Sequence, residues 1–127
     1  MITFKQFLEN TEDKPKFIVN TYINSEWKTP QFIFKTPEGK EIGELQIKRS
    51  LLRGEHDFVV ANLLVWKEFQ RKGYATLFYK HAVNWIKENE PKGNLFISQD
   101  RTKDAQNLHD FFRSKNWINE DGKISFD

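Results

Sequence analysis

Cysteine is absent from this 127-residue sequence. Disulfides, thiolate zinc sites and a cysteine nucleophile are therefore excluded. Histidine is sparse as well: His56, His81 and His109 form no His-x₃-His pair, so no metal site is expected. No apolar run approaches the ~20 residues that a membrane span needs, and no membrane association is expected. The opening MITFKQFLEN has neither the apolar stretch nor the cleavage signal of a secretory leader, which makes the cytoplasm the expected location. Charge of one sign is also missing. Twenty Lys and Arg stand against 18 Asp and Glu, a net charge of +2. That balance permits an anionic ligand but lacks the concentrated basic face expected of a nucleic-acid binder. No repeat, low-complexity tract or linker divides the chain, so residues 1–127 read as one domain.

Aromatic residues are plentiful, with twelve Phe and four Trp. Such side chains let a small domain bury much area with few residues. Residues 2–9 (ITFKQFLE) suit a short amphipathic helix. KFIVNTYI (16–23), QFIFK (31–35) and EIGELQIKR (41–49) read as strands, with Pro37 and Gly39 placing a hairpin turn between the last two. DFVVANLLV (57–65) is the most apolar segment and is expected to be a central strand covered on both faces. Helical spacing runs from Tyr74 to the ENEPKG break, followed by a strand at NLFIS (94–98). A second helix is expected at about 103–115, capped by Thr102, with Ala105, Leu108, Phe111 and Phe112 inward. NWI and KISFD complete the chain as short strands around a turn at Glu120–Gly122. A crossover helix between residues 65 and 94 implies that the strands it joins are parallel. The fold class is α/β, an α+β arrangement with a central mixed sheet flanked by helices.

The stretch FQRKGYATLFYK (69–80) concentrates the chemistry. Backbone N–H groups in a helix's first turn lack intrahelical partners and sit at the positive end of the helix dipole. Gly73 has no side chain to block a ligand, Ala75 keeps the next turn bare, and Arg71 and Lys72 add positive charge. Such a turn suits a pyrophosphate. The glycine patterns of a Walker loop and of a dinucleotide fingerprint are both absent.

LLVWKEFQRKGYA (63–75) resembles the acetyl-CoA signature of the GCN5-related N-acetyltransferases (GNAT): an apolar strand end, a short connector, then Gln/Arg-x-x-Gly-x-Gly/Ala. Gln70, Gly73 and Ala75 fill the defining places. LHDFFRSKNWI (108–118) resembles the family's last helix, with Asn116–Trp117 in place of its Gly-Phe-like pair. The resemblance covers about residues 41 to 118. It implies an acyl-CoA N-acyltransferase fold, with acetyl-CoA (CoA) as cofactor and an amine as acceptor. N–H groups of Arg71, Lys72, Gly73, Tyr74, Ala75 and Thr76 are implied to hold the pyrophosphate, and Leu63, Leu64 and Val65 to pair with the pantetheine arm. Asn107 is the nearest match to the asparagine that often faces the pantetheine.

A free lysine amine has a pKa of about 10.4, so deprotonating it at pH 7 costs ~4.6 kcal/mol. A base must take that proton. Asp57, at the start of the central strand and sharing parity with Val59 and Leu63, is one candidate; Asp100 is the other. The sequence also departs from the family. Phe112 stands where a tyrosine commonly protonates the leaving thiolate, so transfer requires another acid, with solvent, Tyr79 and His109 as candidates. Lys67 replaces a usual proline, and Arg71 a common glycine. Only NSEWKTP separates the first two strands, where the family inserts two helices. The reduced wall favours a protein, peptide or other bulky acceptor, with exposed Trp27 either touching it or lidding the core.

The expected function is direct acetyl transfer to an amine by a monomer or homodimer. The alternative keeps the fold without fast chemistry, as an acyl-CoA-binding or protein-interaction regulator. A small nucleic-acid-binding domain is a third reading, resting only on scattered cations and aromatics.

Overall fold

Alternating burial of side chains shapes the front of the sheet. In β2 (Pro30–Lys35), Phe32 and Phe34 are wholly buried while Gln31, Ile33 and Lys35 are half-exposed. That period of two marks a strand with one packed face. β1 (Ile18–Ile23) and β3 (Glu41–Arg49) pair with β2 on either side, both antiparallel. The computed structural model describes residues 16–50, 54, 56–98 and 102–126. The expected helix at 2–9 lies outside the described residues.

The hairpin between β2 and β3 closes as its sequence predicts. Thr36 exchanges backbone bonds with Lys40 and Gly39, and Gly39 takes φ +95°, a left-handed value that costs glycine nothing. β4 (Phe58–Val65), β5 (Leu95–Phe96) and β6 (Lys123–Ile124) complete a six-stranded sheet in the order β1-β2-β3-β4-β5-β6. Only the β4–β5 pair is parallel, as the crossover through α1 (Tyr74–Asn89) requires. α2 (Lys103–Ser114) follows β5, and the Thr102 side chain accepts from Ala105 N–H at 3.2 Å.

α1 covers one sheet face. Phe78 stacks on Phe34 with ring centroids 3.7 Å apart, and His81 meets Phe32 edge-on at 4.9 Å. Leu45, Ile47, Phe58, Ala82 and Ile86 close the same core. The opposite face of β2 to β4 carries Gln31, Glu44, Gln46, Lys48 and Asn62 together with Ile33 and Leu64, which flank Glu44, and is partly open to solvent.

Four expectations need correction. β4 is central, yet only Phe58 and Val60 in it are buried, while Ala61, Asn62 and Leu64 are exposed. Asn62 and Leu64 point to the face away from α1, which is partly open to solvent, and β5 pairs with β4 only at Phe58↔Leu95 and Val59↔Phe96. It is also shorter than NLFIS: Ile97 N–H turns away to the Gly122 carbonyl at 2.9 Å. On α2 the inner stripe is Ala105, Leu108, His109 and Phe112, the i, i+3, i+4, i+7 set, and Phe111 is 44% exposed. Trp27 is 59% exposed and does not lid the core. Its turn is held by Asn24 Oδ1, which accepts from the N–H groups of Glu26 and Trp27. Arg49 anchors the same turn, donating to the Trp27 carbonyl at 3.2 Å while pairing with Glu90 through two bonds and lying over the Phe58 ring.

Burial among Phe32 and Phe34 lowers the pKa of His81 from 6.5 to about 4, with Glu88 opposing the shift. The folded protein therefore holds this imidazole neutral where the unfolded chain is protonated. Between pH 6.5 and 4 the unfolded state binds more protons, so stability falls as pH drops through that window. The shift corresponds to about 3 kcal/mol. His81→Phe should flatten that part of the pH–stability curve in urea titrations; an unchanged slope would assign it to other groups.

Candidate functional site

The site begins where β4 loses its neighbour. Among the described residues, β4 is paired from Val60 onward on its β3 side only, with Leu63 opposite Leu45, Leu64 opposite Glu44 and Val65 opposite Gly43. Its other edge presents backbone donors and acceptors able to pair with an extended ligand. One extra residue, Ala61, sits between the Gln46↔Asn62 and Ile47↔Val60 pairs. This bulge bends the strand and resets its parity. Leu63 therefore shares a face with Val60 and Phe58, and Asp57 shares one with Val59 but not with Leu63.

Gly43 permits the close pairing at this end. A Cβ there would lie 2.1 Å from the Leu64 carbonyl oxygen and 3.0 Å from both the Val65 Cα and the Phe78 ring. Beyond Val65 the chain is tied back to β3. Trp66 N–H donates to the Ile42 carbonyl, the Trp66 indole donates to Glu41 at 2.8 Å, and Lys40 meets Glu68 at 2.6 Å. A single 3₁₀ turn at Lys67–Phe69 then reaches Gln70, whose side-chain amide donates to the Val65 carbonyl at 2.9 Å. Gln70 thus fixes the turn to the strand end.

The turn itself takes an unusual backbone path. Arg71 has φ +62° and Gly73 φ +85°, two left-handed residues flanking Lys72. Paired left-handed and right-handed residues aim successive N–H groups into one concavity, a known anion-binding device. α1 opens at Tyr74 with Gly73 as its cap and no side-chain capping bond. Its first bond runs from Leu77 N–H to the Gly73 carbonyl, so the amides of Gly73 to Thr76 fall outside the helical ladder. The first helical turn has no acidic residue, and Arg71 and Lys72 are exposed beside it. A Cβ at Gly73 would meet nothing within 4 Å, so the space above this backbone is open. Tyr74, packed edge-on against Phe69, anchors the helix start together with buried Leu77, Phe78 and Tyr79. The donor set, the clear approach and the positive charge fit a pyrophosphate, and the open strand edge fits an extended arm.

Leu63, Leu64, Val65 and residues 70–76 are thus brought together. Asp57 is not. It lies at the opposite end of β4, about 10 Å from the start of the open edge by strand rise. There its carboxylate accepts from the Asn94 amide at 3.5 Å. Asp100 lies outside the described residues. Asn107 is exposed on α2, turned away from the packed stripe. Phe112 is wholly buried among Tyr79, Phe111, Trp117 and Phe126. Tyr79 and His109 are also buried. The positive φ of Arg71 and the need for Gly43 were not anticipated; a glycine inside an apolar strand was the available signal for the second. Among the described residues, no helix is long and apolar enough to cross a membrane.

No family model and no curated protein matches this chain in sequence. Solved structures do match in fold. A GNAT-family acetyltransferase from Staphylococcus aureus Mu50 superposes with a TM-score of 0.52 at 12% identity, over 70% of this chain and 52% of that one. A GNAT-family N-acetyltransferase (YhbS) from Escherichia coli, solved in complex with CoA, matches with a TM-score of 0.54 at 12% identity, covering 80% of this chain and 76% of its own. An aminoglycoside acetyltransferase from an uncultured soil metagenomic sample, solved with trehalose, gives 0.56 at 19% identity, over 97% of this chain and 70% of that one. This chain therefore spans about half the length of the staphylococcal protein. The mixed six-stranded sheet with its two helices has the GNAT acyl-CoA N-acyltransferase fold.

Proposed function

Starting from that fold, we propose that this chain binds acyl-CoA, with acetyl-CoA as donor, and passes the acyl group directly to an amine. The observation that carries the reading is an open β4 edge ending in a left-handed turn with bare amides. In this reading the backbone of Leu63, Leu64 and Val65 receives the pantetheine arm as an added strand. N–H groups from Arg71 to Thr76 hold the pyrophosphate, the Arg71 and Lys72 side chains add charge, and Gln70 keeps the turn in place. The bound donor supplies a thioester carbonyl as electrophile. The acceptor nitrogen forms the new N–C bond as the C–S bond breaks, losing one proton to a base while the departing thiolate gains one.

Solvent supplies that second proton in this scheme, because Phe112 has no hydroxyl and is sealed in the core. Loss of such an acid typically slows transfer by ~10²–10⁴-fold. Asp57 and Asp100 are the two proposed bases for the acceptor's proton, and Asp57, about 10 Å from the start of the open edge by strand rise, requires a water relay to serve. The connector between β1 and β2 is short and Trp27 on it is exposed, which supports a bulky acceptor, a protein or peptide among them. One similar structure is an aminoglycoside enzyme, so polyamino sugars belong in any acceptor panel.

Thiol release from acetyl-CoA with peptides and small amines tests transfer. Asp57→Asn should lower turnover by about 10²-fold with CoA affinity unchanged; equal turnover would remove Asp57 as base. CoA binding without thiol release would favour the second reading, an acyl-CoA-binding regulator, which the buried Phe112 supports.

A further inference from the structure

Glu44 stands on β3 directly opposite Leu64, on the sheet face away from α1. Its two carboxylate oxygens are held by neutral amides: Oε1 accepts from Asn62 Nδ2 at 2.8 Å and Oε2 from Gln31 Nε2 at 3.4 Å. Among the described residues, no Lys or Arg forms an ion pair with it, whereas Glu68, Glu90 and Asp110 each have one. Asn62 is exposed and lies one residue past the Ala61 bulge, on the part of β4 whose other edge is open. Gln46 and Lys48 extend the same face.

A carboxylate oriented by two amides and lacking a cation is a receptor for one, since an ionised carboxylate is an acceptor-only group with about four lone-pair sites. The amides leave part of that capacity unused. We propose that Glu44, oriented by Asn62 and Gln31, binds the primary ammonium group of the acceptor. The inference rests on the acyl-transfer reading and gives it an acceptor class: a cationic amine approaching from the sheet face away from α1, where Ile33 and Leu64 flank Glu44, rather than an uncharged or acidic group. The donor's arm lies along the β4 edge and the acceptor enters one strand away, so the two ligands use different atoms of the same strand. Glu44 acts here in recognition. Its carboxylate is held by Asn62 and Gln31, neither of which is assigned to CoA.

The experiment uses the full chain and Glu44→Gln, which keeps shape and one acceptor oxygen but removes the charge. Calorimetry with CoA should give the same affinity for both proteins, and failure of the wild type to bind CoA would sink the acyl-transfer reading itself. Side-chain NH₂ resonances of Gln31 and Asn62 are then followed while glucosamine, spermidine or a lysine peptide is added to the CoA-bound protein. Shifts in the wild type that vanish in Glu44→Gln support the proposal, and the probe that shifts them most separates a sugar, a polyamine and a peptide source. Where thiol release is measurable, the variant should raise KM for the amine at least tenfold with kcat changed less. Absence of shifts with all three probes, or shifts equal in both proteins, would overturn the assignment.

Discussion

Gly73→Glu should eliminate measurable CoA binding while leaving the chain folded. Isothermal titration against wild type and variant gives the readout. The new carboxylate would stand where the bare amides of Gly73 to Thr76 converge, filling the space and the donors that a pyrophosphate needs. Nothing lies within 4 Å of a Cβ at this position, so no steric clash is expected in the free protein. The backbone penalty is modest: a φ of +85° costs a non-glycine residue roughly 1–2 kcal/mol. Gly73→Ala carries the same penalty without the charge and separates the two effects. It should lose similar stability yet keep part of the affinity. CoA affinity retained by Gly73→Glu would sink the assignment of this turn.

Gly43→Ala should be more damaging to the fold than any glycine change at the turn. Its Cβ would sit 2.1 Å from the Leu64 carbonyl oxygen, and no rotation can relieve contact with backbone. β3 and β4 must therefore separate, and the Phe78 ring, 3.0 Å from the new Cβ, must also give way against Phe34, disturbing the 3.7 Å stack. Overpacking of this kind costs roughly 1–3 kcal/mol and sometimes more; the upper end, about 3 kcal/mol, is expected here. Chemical denaturation measures it. Because Leu64 and Val65 lead into the turn, CoA affinity should weaken as well, by about tenfold or more. A variant with wild-type stability would mean that β3 and β4 are not so closely apposed.

Much of the architecture was readable in the residues. The aromatic and β-branched content of QFIFK, and the helical spacing that begins at Tyr74, are local signals, which a linear sequence carries directly. FQRKGYA was likewise legible as a helix start without side-chain obstruction. Local patterns could not reveal where β5 stops. NLFIS looks like a full strand, but Ile97 N–H turns to Gly122 after Phe96, and among the described residues the second half of β4 has no partner strand on that edge. The same limit explains Asp57, whose assumed parity with Leu63 counted two residues per repeat and could not foresee the Ala61 bulge.

The sequence alone thus determined the order of the described elements, the parallel crossover and the unobstructed helix start after Gly73, because each follows from periodicity, chain length and the absence of a side chain. Tertiary structure decided the rest. It opened the β4 edge by ending β5 early, set Arg71 left-handed beside Gly73, and sealed Phe112 among aromatic rings. It also placed Glu44 between two amides contributed by neighbouring strands. These features join residues distant along the chain, and strand register brings them together only when the whole sheet has formed.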